Sequence, residues 1–387
     1  MGGIVTPNLT EEFWKNYLAG FEAKNPGVKV KFIYPPGGPG ASSDAYYKTL
    51  LASEKFPDVL FGVTTSEFVG GGALAPFPID DEIKTAIPNY ESYQIKGKLY
   101  ELPTQAQPSP CLYYNKSMFD KAGITAVPKT FEEWDAAFAK LKASGVTPLL
   151  IQGADFPQLY TGAFMLPSSI GAVPDFYIQR NEKKITFAGS EFEKTLEWLF
   201  KWQKAGYVNE GAAGLSFVQS QTDFLAGKAA VYPMGSWFAG EASKNKPNFE
   251  IGVAVPPSLD GKQRVIATVY GVALISSTSK HQEAAIKLAK YMAFDEETSR
   301  ARLKTDALIS TLKPKPLTYE ADPVTQATFD TFEGSEIVPF LSGQGDNLPV
   351  LGFEDHVKLL TQKMLTGKGD AKSFAKELDD FWDRQQK

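Results

Sequence analysis

Cysteine is almost absent from this 387-residue chain: Cys111 is the only one, so no intrachain disulfide can form. Flanked by Pro110 and Leu112 and opening an apolar run, it reads as a small buried hydrophobe rather than a reactive thiol. Histidine is nearly as scarce. His281 and His356 have no cysteine or carboxylate at ligand spacing, which argues against a transition-metal site. Basic runs are missing and the formal net charge is −5, so the footprint of a nucleic-acid binder or of an anionic-membrane binder is not there. No apolar run is long enough to read as a bilayer span. The opening "MGGIVTPN" has neither a charged nor an apolar leader region and reads as lacking a signal peptide, with Ile4 and Val5 ending a strand.

Catalytic signatures are also sparse. No Gly-x-Ser-x-Gly elbow occurs, and "GGPG" and Gly70–Gly72 lack the Lys and Ser/Thr of a phosphate loop. Paired carboxylates are the chemistry that composition does not exclude, since Glu67, Glu101 and Asp155 fall near predicted strand ends. Their plainer reading is as solvated loop acids or as hydrogen-bond acceptors for a ligand. The chain is therefore expected not to be an enzyme and to need no cofactor and no metal.

What is present is an ordinary globular composition, 43% hydrophobic and 22% charged, with a high 13% of aromatics. Large aromatic cores account for most of these rings, and some are expected to line a cleft. The length exceeds what one core usually serves, so two domains are expected. Helical patterns alternate with short β-rich runs, which indicates an α/β fold. The spacing of Asn8 and Glu11 predicts a capping box for a first helix through Phe13, Tyr17 and Phe21. "VKVKFIY" (28–34) then predicts a strand, 35–44 a loop, "AYYKTLLASE" a helix and "PDVLFGV" (57–63) a buried parallel strand, the start of a doubly wound sheet. Capping boxes are predicted again at Thr130/Glu133, Ser190/Glu193 and Ser279/Gln282. The 251–276 stretch reads as β-rich and the tail as two helices joined around 367–370. Between Lys96 and Ile124, strand, proline-rich kink, strand and helix start follow in close order, which suggests a domain crossing near Cys111.

The segments "GKLYELPTQ", "CLYYNKSMFDKAGI" and "PKTFEEWDAAFAKLKASGVTPL" resemble the bacterial extracellular solute-binding proteins of carbohydrate-type ABC importers, the maltose-binding-protein-like family 1. "FEAKNPGVKVKFIY", "ASEKFPDVLFG", "DFLAGKAAVYPMGSWFAGE" and "TVYGVALISSTSKHQEAAIKLAKYMAFDEETSRARL" resemble the same family in order along the whole chain. The resemblance implies a two-lobe periplasmic-binding-protein fold of type II-like topology, each lobe a sheet flanked by helices, joined by crossing hinge strands. Residues 1–110 with 268–310 would form one lobe and 111–267 with 311–387 the other, with the ligand cleft between them. It implies a monomeric receptor outside the cytoplasmic membrane, periplasmic or lipid-anchored at the cell surface. Such a receptor closes on its solute and delivers it to the transmembrane subunits of an ABC permease.

Sugars present apolar faces and a rim of hydroxyls, so stacking rings with amides, carboxylates and hydroxyls are the residue types to seek. The family's "GSWF"-type motif commonly stacks a ring on sugar, which points to Trp237 here; Phe238 is expected to face the core. In the loop after "DVLF" the candidates are Thr64, Thr65, Ser66 and Glu67. The loop lacks the Trp, Asp and Arg that maltose-binding protein carries there, a departure that argues against maltose. Gln105 and Gln107 follow "LPT", where the family's hinge loop presents a side chain; a buried glutamine without a partner is costly, so a ligand would suit it. Asp155, Phe156 and Tyr160 follow the strand "PLLIQG". Tyr270 stands at the second crossing, Asp346 and Asn347 lie in "SGQGDNLP", Asn8 follows the first strand, and Asp44 belongs to a loop that would fold over the site. These positions are poor in Arg and Lys, which favours a neutral oligosaccharide or glycoside over the alternative of a glycerophosphodiester, sugar phosphate or other polar metabolite. A glycoside-active enzyme and a sensor or adhesin without transport are the readings from other classes.

Overall fold

The computed structural model describes residues 1–36, 43–332 and 335–386. Most of the loop expected to fold over the site, at 37–42, lies outside the described residues. The chain divides into two compact units. Unit 1 holds Met1–Gln107, Val269–Glu320 and Gln344–Asp346; unit 2 holds Pro108–Thr268, Ala321–Gly343 and Asn347–Lys387.

Among the described residues the strands are, in chain order, β1 (Val59–Leu60), β2 (Leu74–Ala75), β3 (Pro103–Pro108), β4 (Cys111–Asn115), β5 (Thr147–Leu149) and β6 (Ala229–Met234). They continue with β7 (Ile251–Ala254), β8 (Arg264–Gly271), β9 (Leu274–Ser276), β10 (Ile309–Ser310) and β11 (Glu336–Val338). Three sheets result, ordered β1-β9-β2, β5-β6-β4-β7 and β10-β3-β8-β11. The first belongs to unit 1 and the second to unit 2. Strands β3 and β8 each contain a position at which the chain passes from one unit into the other.

Unit 1 begins with a β-α-β-α-β progression, but its strands are shorter than their period-two pattern predicts. Gly2 bridges in parallel to both Ile33 and Leu60, with Gly3 N–H donating to Ile33 O at 2.9 Å and Gly2 N–H to Val59 O at 2.7 Å. The expected strand at 28–34 contracts to the Ile33 bridge, because the first segment offers only a few residues for pairing. β1 pairs antiparallel with β9 on its other side, so the expectation of a purely parallel strand is corrected. Glycine is required at position 2: a Cβ there would lie 2.5 Å from the Tyr47 ring.

Each unit has its own apolar core. In unit 1, Trp14, Phe21 and Phe61 pack with Leu288 and Met292. In unit 2, Trp134, Phe138, Phe164 and Trp202 pack with Tyr177, Phe353 and Trp382. Cys111 is buried in this second core, and burial pushes its thiol up to about 12. The helix Phe131–Ala143 starts with the expected reciprocal box: Thr130 Oγ1 accepts from Glu133 N–H at 3.2 Å and Glu133 Oε2 from Thr130 N–H at 3.3 Å. Three other expected boxes differ. The first helix is capped by Thr10, not Asn8. Ser190 caps the helix Glu191–Lys204 while Glu193 reaches Gly189 N–H instead. The helix at Gln282 starts after His281, and Ser279 Oγ accepts from His281 N–H at 3.0 Å and donates to Asp58 Oδ1 at 2.6 Å. At Ser190 and Ser279 the hydroxyls accept from backbone N–H groups nearer than the box geometry supplies, while Asn8 and Glu11 bond the side chains of Asp306 and Tyr34 instead. The tail forms the helices Phe353–Leu365 and Ala371–Gln385, and His356 stacks on Phe381 with ring centroids 4.2 Å apart.

Candidate functional site

In unit 1 the candidates gather into two hydrogen-bonded groups. The first is built around Arg302, which the helix Glu296–Thr305 delivers into a buried position. Its Nη1 lies 2.8 Å from Asp306 Oδ2, its Nη2 donates to Tyr270 OH at 3.3 Å, and the guanidinium sits 5.2 Å from the Phe61 ring centre. Asn8 Nδ2 donates to Asp306 Oδ1 at 3.1 Å. The Gln105 amide lies against the Tyr270 hydroxyl, yet its Nε2 has no hydrogen-bond partner among the described residues although the residue is only 2% exposed. Arg302 Nη1 is committed to Asp306, while its Nε has no hydrogen-bond partner among the described residues. Burial pushes the Tyr270 phenol up to about 12 against the opposing pull of the Arg302 cation. This corner of unit 1 therefore holds a matched charge pair and unspent donors, which is what a polar uncharged solute needs.

The second group surrounds Glu101. Its Oε2 accepts from Gly271 N–H at 2.9 Å, and the Thr65 side chain also bonds it. Enclosure by protein pushes this carboxyl up to about 7, outweighing both hydrogen bonds. Gly271 is needed for the approach, since a Cβ there would lie 2.5 Å from Leu102 N. Thr64–Glu67 is not the open loop expected: Thr65–Val69 is a short helix that Thr64 precedes. Asp44 Oδ1 accepts from Thr64 N–H at 2.9 Å, and burial raises the Asp44 carboxyl despite that bond. Glu67 is committed to Lys48 at 2.6 Å. Ser66 is half-buried beside them, and Gln107 is half-buried at the end of β3. Asp346 Oδ1 accepts from Lys96 N–H at 2.7 Å, where Lys96 has a positive φ of 51°.

In unit 2, Trp237 opens the helix Trp237–Asn245 directly after β6 and Gly235. A Cβ at Gly235 would fall 2.1 Å from the indole, so the ring lies over bare backbone. Trp237 is half-buried, while Phe238 is fully buried and meets Tyr113 edge-on at 5.0 Å, as the sequence predicts. Asp155 Oδ2 accepts from Phe217 N–H at 2.6 Å, and the Phe156 ring meets Phe217 edge-on at 5.6 Å. Tyr160 is 1% exposed in the helix Gln158–Met165, with a hydroxyl that has no partner among the described residues. Asn347 Oδ1 accepts from Tyr177 N–H at 2.9 Å and Ile178 N–H at 3.2 Å, so its amide carbonyl holds the first turn of the helix Phe176–Asn181.

Arg302 and Asp306 were not among the residues expected to matter. Their spacing of four on one helix was the available signal. Glu101 is one of the three acids that the sequence places near strand ends, and its burial is what the sequence does not show. Among the described residues no three His, Cys, Asp or Glu side chains converge as metal ligands, and no helix is long and apolar enough to cross a membrane.

The family model described as bacterial extracellular solute-binding protein matches residues 6–298. The chain belongs to this family. Among its relatives is a probable sugar-binding periplasmic protein of Mesorhizobium japonicum, 25% identical over 287 residues, 71% of this chain and 67% of that protein. An uncharacterised ABC transporter extracellular-binding protein of Pyrococcus horikoshii is 28% identical over 249 residues, 61% of this chain and 55% of its own length. The match thus spans between about half and two thirds of these curated relatives. The fold is shared with solved structures over nearly the full length of both chains. A chitin oligosaccharide binding protein superposes with a TM-score of 0.83 at 21% identity, covering 100% of this chain and 98% of that one. The solute-binding protein RafE in complex with raffinose gives 0.79 at 20% identity, covering 100% and 99%. A Bacillus licheniformis sugar transporter in complex with stachyose gives 0.74 at 20%, covering 100% of both chains. The family description places its members outside the cell membrane.

Proposed function

We propose that this solute-binding protein is the receptor of an ABC importer for a neutral carbohydrate, an oligosaccharide or glycoside, which it hands unchanged to membrane permease subunits. The observation that carries the reading is the charge-matched polar corner of unit 1. Arg302 is paired with Asp306, and the Gln105 amide and the Tyr270 and Asn8 side chains surround it. Unspent donors on Gln105 and Arg302 await acceptors, and sugar hydroxyls supply them without bringing charge. A phosphate would need a cation that is not already neutralised. Trp237 supplies the complementary apolar surface for a pyranose face. A sugar-binding relative and fold neighbours that bind chitin oligosaccharide, raffinose and stachyose point the same way.

Each unit serves as one lobe in this reading. A solute that draws contacts from candidates of both favours the arrangement that lets it touch both, so binding shifts the hinge equilibrium. The protein works as a monomer outside the cytoplasmic membrane, and binding rather than turnover is its activity. The test is thermal unfolding against a panel of mono-, di- and oligosaccharides, with glycerophosphodiesters and amino acids included. A native-state ligand raises the midpoint by mass action. A rise with a neutral oligosaccharide class supports the reading; a rise with only phosphorylated or cationic solutes overturns it.

A further inference from the structure

We propose that a groove in unit 2, beside the edge strand β7, docks an extended acidic segment of a partner protein by strand addition. The groove has a volume of about 800 Å³ and is lined entirely by residues of unit 2. β7 ends the sheet order β5-β6-β4-β7, so one of its edges is paired with β4 and the other is not paired in a sheet among the described residues. The register settles which groups face outward. Lys116 N–H donates to Glu250 O at 3.1 Å, and Tyr114 pairs with Gly252 and Leu112 with Ala254. The even-numbered residues therefore bond β4, and the backbone N–H and C=O of Ile251 and Val253 turn the other way. An unpaired row of this kind is a template for another strand.

The walls suit alternating side chains. Val127 and Phe249 supply apolar surface near the strand, and Val324 and Ala327 supply it from the helix Pro323–Asp330. Charge selects the occupant. Lys116 is matched by Glu250. Asp322 and Asp330 also line the groove, and their hydrogen bonds from the N–H groups of Val324 and Thr325 and from Gln326 leave both carboxylates charged. Lys129, Lys246 and Lys262, all exposed on the lining, have no carboxylate within ion-pair distance among the described residues. Four lysines against three carboxylates leave the lining one positive charge in surplus, and the three lysines without an ion-pair partner lie where an acidic strand would meet them. The alternative is that these lysines only guard the edge against aggregation, a known use of lysine on edge strands.

The experiment uses the whole protein and a fluorescein-labelled eight-residue peptide alternating Glu and Val, with a Lys/Val peptide as control. Binding is read by anisotropy, and amide hydrogen exchange is followed at Ile251 and Val253. The Glu/Val peptide is expected to bind saturably and to slow exchange at those two amides, and the Lys/Val peptide is expected not to bind. Val253→Pro removes an outward N–H that the β4 ladder does not use, and should weaken binding at least tenfold. Should that variant not fold, the surface triple variant Lys129→Glu, Lys246→Glu, Lys262→Glu carries the same test and should also weaken binding at least tenfold. No binding, binding indifferent to both variants, or anisotropy without slowed exchange overturns strand addition and leaves the lysines as edge guards. The midpoint shift given by a bound sugar should be the same in the triple variant as in the wild type, so this outcome is separate from that of the carbohydrate reading.

Discussion

Trp237 and Gly235 act as one feature, because the indole lies where any side chain at 235 would have to be. Gly235→Ala should either cost about 1–3 kcal/mol of stability through overpacking or turn the indole aside and shift its fluorescence. Wild-type stability together with wild-type emission would contradict the contact. Glu101 gives a pH-dependent prediction. Its carboxyl is raised to about 7 in the folded protein, against about 4.3 in an unfolded chain. Between those values the folded state binds more protons, so this residue's contribution to stability falls as pH rises and levels off above about 7. Glu101→Gln does not titrate. The midpoint of the variant relative to the wild type should therefore rise by a few degrees from pH 4.5 to pH 8, and a difference that stays constant with pH would contradict the assignment. Several candidates that read as free side chains in the sequence turn out to be occupied. Asn347 caps a helix at Tyr177, Asp155 holds Phe217 and Glu67 pairs with Lys48. Their partners lie far along the chain or on a neighbouring helix, and spacing alone cannot show that. The Arg302–Asp306 pair was legible in principle, but its burial was not, because a charged pair at this spacing is usually solvated.

At the level of elements, the helices were the most readable feature and the strands the least. Aromatic stripes such as Phe131, Trp134, Phe138 and Leu141 declare both the helix and its buried face, and all four are buried. The Thr130/Glu133 box closes as predicted, so Thr130→Ala should destabilise by about 1 kcal/mol. Urea unfolding checks this, and an unchanged midpoint would show that the box contributes nothing. The same motif read at Asn8, Ser190 and Ser279 did not form, since capping depends on backbone geometry one or two residues away. The alternation in 28–34 predicted a full strand where a single bridge forms. Alternation reports which residues can face a core, while strand length depends on how much partner strand is available.

For the whole molecule, the two separate cores explain why a chain of this length reads as more than one domain. The family resemblance carried by ordered segments is matched by the family model over residues 6–298. What the sequence did not supply is the charge state of the polar corner, which depends on Arg302 and Asp306 meeting Asn8 and Tyr270 from distant segments. The central claim is tested by titration calorimetry with the neutral oligosaccharide that most raises the unfolding midpoint, using the wild type and Trp237→Ala. The account predicts saturable one-to-one binding, weakened at least tenfold (about 1.4 kcal/mol) by the substitution, with the solute recovered intact. Heat only from phosphorylated solutes, or recovery of a shortened sugar, would contradict it.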